Sequence, residues 1–253
     1  TLAEGIAGSE DAFAALMNRE ALRLGMKNTH FVNATGLPHP QHYSTPFDLS
    51  LLARAIIRDF PEFYRLYALK EFTYNRITQP NRNQLLWRDP SVDGMKTGHT
   101  ESAGFCLVAS AKRQNMRLIS VLMGADSENL RAAESQKLLN YGFQFFETLR
   151  PYARGALPGV QFAVWKGSAR KVQGGLADDL YVTVPRGQYP YISAQLVSRQ
   201  PLVAPVGQGQ AVGTLRVLLN GQPLVEKPVV AMEGVAAGNF FTRAWDSLRL
   251  LFQ

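Results

Sequence analysis

The spacing of apolar residues predicts two amphipathic helices near the start of the chain. The first lies between Ser9, a typical N-terminal cap, and Gly25, a typical C-terminal stop. Its apolar positions recur at helical spacing: Phe13, Leu16, Met17 and Leu24. The second begins at Thr45-Pro46, a cap followed by a proline at the first helical position, and ends before Phe60-Pro61. The residues predicted to form its buried stripe are Phe47, Leu51, Ala55 and Ile56.

The next pattern is typical of strands followed by a long helix. Residues 92–98 predict a short strand, and residues 104–112 and 117–124 predict a hairpin with its turn at 113–116. A helix is predicted from about Asn129 to Leu149. The residues expected on its buried side are Leu138, Leu139, Phe143 and Phe146. Helices packed on an antiparallel sheet indicate an α+β domain.

Beyond residue 150 the composition becomes typical of an all-β domain. Residues 151–158 are rich in Pro, Gly and Ala and indicate a domain boundary. The strands predicted beyond it are 160–165, 180–184, 191–197 and 212–219. Asn220-Gly221 predicts a type I′ hairpin turn. We therefore expect an α+β domain at 1–149, a small sandwich-like β domain at 150–237 and a helix at 238–253.

The last 16 residues predict an amphipathic helix. Its apolar face comprises Phe241, Ala244, Trp245, Leu248, Leu251 and Phe252. Its polar face comprises Thr242, Arg243, Asp246 and Arg249, and Leu250 fits neither face. The pattern is compatible with a helix packed on its own protein, but it favours one lying among membrane headgroups. The anchoring residues are predicted to be Phe241, Trp245, Leu248 and Phe252.

Composition narrows the class of protein. A net charge of +7 favours anionic surroundings, but no run of basic residues is interleaved with aromatics, which argues against nucleic acid. No stretch of 18 apolar residues is present, so no membrane-spanning helix is predicted. The single cysteine, Cys106, lies in an apolar run and is interpreted as a small core residue. The histidines have no metal-site spacing, and neither a metal nor another cofactor is predicted.

Lys96-Thr97-Gly98 is the main candidate for chemistry. It ends a predicted strand that would face a cleft, with a hairpin and a long helix after it. Such a strand can hold a substrate carboxylate, because Lys supplies charge, Thr donates a hydrogen bond and Gly permits close approach. His99 is a candidate proton carrier or orienting donor. From the residues alone, Arg82 and Arg131 are interpreted as surface arginines, and Asp93 as a turn or cap residue.

A series of short motifs extends along the chain. It includes Asn28-Thr-His-Phe-Val-Asn33, Asn81-Arg-Asn83, Val92-Asp-Gly-Met-Lys-Thr-Gly-His-Thr100, Leu107-Val-Ala-Ser-Ala111, Val182-Thr-Val-Pro-Arg-Gly187 and Gly238-Asn-Phe-Phe241. Together they resemble the low-molecular-mass penicillin-binding proteins, in particular the D-alanyl-D-alanine carboxypeptidases of the penicillin-binding protein 5/6 group. The resemblance implies a β-lactamase-like transpeptidase domain, a β-rich second domain and an amphipathic C-terminal helix on the periplasmic surface of the inner membrane.

The resemblance also implies roles for the candidate residues. Lys96, Thr97 and Gly98 match the third active-site motif, which binds the terminal carboxylate of a peptidoglycan pentapeptide or of a β-lactam. His99 follows this motif in the family too. Arg82 matches an arginine near the site, and Arg131 matches one placed near the substrate carboxylate.

The chain departs from the family pattern at the nucleophile. The family's S-x-x-K and S-x-N elements precede its Lys-Thr-Gly, whereas Ser168–Lys171 and Ser127–Asn129 follow it here and are interpreted as chance matches. We therefore expect an upstream segment to carry the serine, the core to be open without it, and this polypeptide alone to be inactive. The alternatives are a β-lactamase and a non-catalytic wall-binding or scaffolding module.

Overall fold

The structure, a computed structural model, describes residues 1–198 and 200–250. The chain separates into two compact units, Thr1–Phe145 and Phe146–Gln253. Helices and antiparallel sheets occur together in the first unit, which confirms the predicted α+β class. No described helix is long and apolar enough to cross a membrane.

The first unit contains six α-helices and five strands among the described residues. In chain order they are α1 (Leu2–Ala7), α2 (Glu10–Leu24), α3 (Pro46–Asp59), α4 (Pro61–Tyr64), β1 (Glu71–Tyr74), β2 (Ile77–Pro80), α5 (Leu85–Arg88), β3 (Val92–Thr100), β4 (Gly104–Arg113), β5 (Met116–Ala125) and α6 (Glu128–Phe145). β3, β4 and β5 form an antiparallel sheet in that order, and β1 and β2 form a separate hairpin.

The predicted helix ends are confirmed by their capping contacts. The Ser9 side chain accepts a hydrogen bond from the backbone N–H of Ala12 at 3.1 Å. The Thr45 side chain accepts one from Asp48 at 3.2 Å. Gly25 ends α2 in the left-handed conformation, with φ at 81°. The Ser9 and Thr45 contacts satisfy N–H groups that would otherwise lack an intrahelical partner.

The prediction that Phe47 is buried is wrong, because its side chain is 69% exposed. The neighbouring Asp48 points inward instead and is 1% exposed. Its carboxylate accepts hydrogen bonds from the Asn28 backbone and the Thr29 hydroxyl, both at 2.7 Å. Successive helix positions differ by about 100°, so an inward Asp48 turns Phe47 toward solvent.

The second unit begins at Phe146, in a segment that the sequence pattern predicted to be the end of a helix. Its elements are β6 (Phe146–Tyr152), β7 (Gly155–Trp165), β8 (Lys171–Leu176), β9 (Leu180–Pro185), β10 (Ile192–Ser198), β11 (Leu202–Val203), β12 (Ala211–Leu219), β13 (Gln222–Ala231) and α7 (Phe240–Leu250). β6 pairs with β9, and the other strands form one sheet in the order β10-β12-β13-β8-β7-β11. Phe162, Val172, Leu180 and Val217 belong to one buried cluster that includes both sheets.

Two predictions around this junction are wrong. α6 ends at Phe145, and the segment that begins at Phe146 pairs as a strand with β9. Leu138 is 49% exposed, although Leu139 and Phe143 are buried as predicted. Residues 151–158, expected to mark the domain boundary, contain the end of β6 and the start of β7, and the two units divide at Phe145 and Phe146.

The predicted hairpin turn in the second unit is confirmed. Asn220 and Gly221 have φ angles of 50° and 77° and join β12 to β13, with Leu219 opposite Gln222. Positive φ at both central positions is the requirement of a type I′ turn.

Candidate active site

Strand β3 places the Lys96-Thr97-Gly98 sequence at the edge of the three-stranded sheet. Lys96 lies opposite Val108, and Gly98 lies opposite Cys106 on β4. β3 has β4 as its neighbour on one side and is the first strand of the sheet order. An edge strand has backbone groups free to bond an extended ligand.

The side chain of Lys96 lies in a cleft of about 720 Å³. Its ammonium group donates a hydrogen bond to the carbonyl oxygen of Thr97. Burial, and then the positive charges of Arg82 and Arg131, lower the pKa of Lys96. Both arginines are therefore close enough to act on the Lys96 ammonium group.

Arg131 is buried, so its interpretation as a surface arginine is wrong. It lies in α6 and is 2% exposed. Its guanidinium donates hydrogen bonds to the carbonyl oxygens of Gly98 and Arg82, both at 3.3 Å, and to the carboxylate of Glu128 at 3.1 Å. It therefore fixes the end of β3 relative to the loop that carries Arg82. Arg82 itself is exposed, as the sequence indicated.

His99 lies on the exposed part of β3 and lines the same cleft. Its ring stacks on Phe105 of β4, with ring centroids 3.9 Å apart. Because adjacent strand residues point to opposite faces, His99 and Thr97 share one face of β3, while Lys96 and Gly98 share the other.

The cleft has a polar rim and an apolar floor. Arg82, Lys96, Thr97, His99 and Arg131 contribute to the rim. The apolar lining residues include Met17, Leu52, Ala53, Ile56, Met95, Leu107, Val108 and Val121. A surface of this kind fits a ligand or segment that is apolar on one side and anionic or polar on the other.

Asp93 takes part in a network that the sequence analysis missed. It lies in β3, not in a turn or cap, and both its carboxylate oxygens accept hydrogen bonds from Arg117 at 2.7 Å. The Tyr64 hydroxyl donates to the same carboxylate at 2.7 Å, and burial is the largest cause of the raised pKa of Tyr64. Arg117 also donates to Ser110 at 2.7 Å. The network fixes β3 three residues before Lys96.

Cys106 differs from its predicted place in the core. It is half-buried and lines the cleft opposite Gly98. Its thiol donates to the carbonyl oxygen of Ala103 at 3.3 Å. The apolar run around it indicated burial, but the alternation along β4 turns this position toward the cleft.

The two downstream serine motifs have ordinary structural places. Ser127 caps α6, and its hydroxyl accepts a hydrogen bond from the backbone of Leu130 at 3.2 Å. Ser168 is exposed in the turn between β7 and β8, and Lys171 begins β8. Ser168 is therefore not at the start of a helix with its lysine one turn later.

Comparisons with known proteins agree with this architecture. A family model described as D-alanyl-D-alanine carboxypeptidase matches residues 1–127, and one described as penicillin-binding protein 5, C-terminal domain, matches residues 146–237. D-alanyl-D-alanine carboxypeptidases DacC and DacA of Escherichia coli K12 are 46% and 44% identical to it, over 99% of this chain. The chain spans 63% and 62% of the length of these two relatives.

A solved structure gives the same result for the fold. Penicillin binding protein 5 from Haemophilus influenzae matches with a TM-score of 0.79 and 40% identity, covering 93% of this chain and 69% of that protein's chain. The family model covers half of the sequence, and the strand with Lys96, Thr97 and Gly98 lies inside the matched region. This chain therefore belongs to the D-alanyl-D-alanine carboxypeptidase family.

Proposed function

We propose that the protein containing this chain is a serine-type carboxypeptidase that removes the terminal D-Ala from the peptidoglycan pentapeptide. The serine hydroxyl attacks the carbonyl of the penultimate D-Ala, the terminal D-Ala leaves, and water hydrolyses the resulting ester. A β-lactam acylates the same serine. Lys96, Thr97 and Gly98 bind the free carboxylate, and His99, Arg82 and Arg131 surround them.

The observation that carries this proposal is the concentration of positive charge beside the β3 edge. Arg82, Lys96 and Arg131 line the cleft, and Glu128 is the one acidic residue among its described lining residues. Glu128 already accepts a hydrogen bond from Arg131. The cleft therefore has a net positive charge, which suits a carboxylate held by charge-assisted hydrogen bonds.

The serine nucleophile in this proposal comes from an upstream segment outside residues 1–253. The apolar floor of the cleft, which includes Leu52, Ala53 and Ile56, supports this proposal. The apolar face of a helix can pack on this floor next to Lys96. Such a helix would bring a serine to the β3 edge. In this proposal the 253-residue polypeptide binds the peptide carboxylate without turnover.

Peptide binding by the polypeptide tests the role of Lys96. Titration with an N-acylated D-Ala-D-Ala dipeptide, followed by NMR, should shift the amide signals of residues 96–100. Lys96→Ala should weaken binding at least about tenfold, the size expected for a lost charge-assisted hydrogen bond. Lys112→Ala is the matched control, because Lys112 is an exposed lysine on β4. Equal affinity of the two variants would overturn the role of Lys96, and hydrolysis of the dipeptide would overturn the external nucleophile.

We also propose that the protein is periplasmic and attached to the surface of the inner membrane through α7. Phe241, Trp245 and Leu248 are 80%, 60% and 56% exposed. Phe252, also predicted to anchor, lies outside the described residues. An exposed aromatic face on a helix with arginines suits the headgroup region of a bilayer.

A further inference from the structure

Asp246 is a buried residue of α7, a helix whose other described residues are exposed or half-buried. It is 2% exposed, and one carboxylate oxygen accepts a hydrogen bond from the backbone N–H of Lys166 at 2.6 Å. The other oxygen has no hydrogen-bond partner, and the guanidinium of Arg170 lies 3.9 Å from it. A buried carboxylate is unfavourable unless a partner compensates for its lost hydration. The hydrogen bond from Lys166 is therefore the contact that compensates for the burial of this carboxylate.

The turn that receives Asp246 also holds the segment leading into α7. Lys166 has a φ angle of 58°, and its carbonyl oxygen accepts a hydrogen bond from Gly238 at 2.8 Å. The N–H of Ser168 donates to Ala236 at 2.8 Å. The helix is thus attached before its first residue and again about two turns later. Two attachments fix its rotation about its own axis as well as its position.

This rotation decides which face of α7 is exposed. With about 100° per residue, Phe241, Trp245 and Leu248 lie roughly 100–160° around the axis from Asp246. Thr242 and Leu250, one turn before and after Asp246, are half-buried on its side. An inward Asp246 therefore directs the aromatic face outward. It also explains why the apolar Leu250 lies among the polar residues of α7, because this side of the helix packs on the protein.

We propose that Asp246 is a latch that holds α7 folded on the β-rich unit in water and sets the rotation at which its aromatic face meets an anionic lipid surface. The exposed Arg249, about 40° around the axis from Trp245, supplies positive charge at the edge of this face. This inference rests on the membrane role proposed above and adds that the binding face is preformed. Many amphipathic segments instead fold only when they contact lipid.

Hydrogen exchange without lipid tests the latch. Asp246→Ala should speed exchange of the amides at residues 242–250 at least about tenfold, because the docking contact is lost. Ala has a higher helix propensity than Asp, so a helix that folds independently would exchange more slowly in this variant. Asp246→Asn keeps an acceptor oxygen and should lie between the wild type and Asp246→Ala. Asp178→Ala, at an exposed aspartate of the same unit, should match the wild type.

Unchanged or slower exchange in Asp246→Ala would overturn the latch, as would unprotected α7 amides in the wild-type chain. Sedimentation with vesicles of phosphatidylglycerol and phosphatidylcholine separates this inference from the membrane proposal. Protection that disappears in Asp246→Ala, together with no sedimentation of the wild type, would support the latch and overturn the membrane role.

Discussion

Gly98 stands at a position where the fold itself does not require a glycine. A Cβ added there would meet the Cβ of Cys106 at 3.9 Å, an ordinary van der Waals distance. Gly104, the first residue of β4, is different. Its φ is 64°, and an added Cβ would come within 3.0 Å of the carbonyl oxygen of Ala125. Our proposal that a ligand approaches the β3 edge gives the missing side chain at Gly98 a role.

We therefore expect Gly98→Ala to change ligand affinity but not stability. Its unfolding free energy in urea should stay within about 0.5 kcal/mol of the wild type, the usual range for a change that disturbs no packing. Its affinity for an N-acylated D-Ala-D-Ala dipeptide should fall. Gly104→Ala should lose more than about 1 kcal/mol, because Ala is strained at positive φ. Destabilisation of Gly98→Ala to the extent of Gly104→Ala would show that Gly98 serves packing.

At the scale of elements, the sequence predicted the helix ends and turns that are determined by contacts between residues close together in the chain. The caps Ser9 and Thr45 and the Asn220-Gly221 turn were sufficient to locate α2, α3 and the β12–β13 hairpin. The end of α6 depends on a distant partner, because residues after Phe145 pair with β9. Helical spacing of Phe143 and Phe146 continues through that point, and tertiary pairing overrides it. β8 was missed because Gly174 and Gly175 weaken its strand signal.

In the candidate site, too, the sequence predicts what neighbouring residues decide and does not predict what distant contacts decide. The chemistry of Lys96-Thr97-Gly98 is readable because three consecutive residues carry it. The burial of Arg131 is not readable, since it depends on carbonyl groups of Gly98 and Arg82 far away in the sequence. The partners of Asp93 likewise come from other elements, namely Tyr64 and Arg117.

Asp89 connects the loop before β3 to β4 and to α6 through hydrogen bonds. Its carboxylate accepts from Ser91 at 2.8 Å, from Arg113 on β4 at 3.0 Å and from Gln136 on α6 at 2.8 Å. Burial raises its pKa, but the hydrogen bonds from Ser91, Gln136 and Arg113 outweigh burial and lower the pKa from 3.8 to about 2. A folded-state pKa below the unfolded value stabilises the fold above that unfolded value, and the contribution is lost as the pH falls through about 2.

Asp89→Asn should therefore lower the unfolding free energy at pH 7 by about 2 kcal/mol, following the size of the pKa shift. The difference from the wild type should shrink as the pH is lowered from about 4 toward 2. Urea unfolding at pH 7, 4 and 3 measures it. Asp178→Asn, at an exposed aspartate, is the control. Parallel stability curves for the wild type and Asp89→Asn across this range would contradict the stabilising role of the ionised carboxylate.

At the scale of the whole molecule, each unit presents an apolar surface with positive charge beside it. In the first unit this is the cleft with Lys96, Arg82 and Arg131. In the second it is α7, where Phe241 and Trp245 are exposed and Arg249, one turn after Trp245, is exposed too. The sequence pattern offered packing and membrane contact as alternatives for the terminal helix. The structure combines an inward polar face with an outward aromatic one, so packing of α7 leaves its apolar face available.

The aromatic face of α7 should govern association with lipid vesicles. Replacing Phe241 and Trp245 together by Ser should reduce the vesicle-bound fraction at least about tenfold, because burial of aromatic area drives interfacial binding. Higher salt should weaken wild-type binding in part, since arginines next to anionic headgroups are screened. Leu22→Ser is the matched control, because Leu22 is an exposed apolar residue, at 76%, on α2. Equal losses in both variants would mean that exposed apolar area in general causes the association; a loss confined to the α7 variant assigns it to this face.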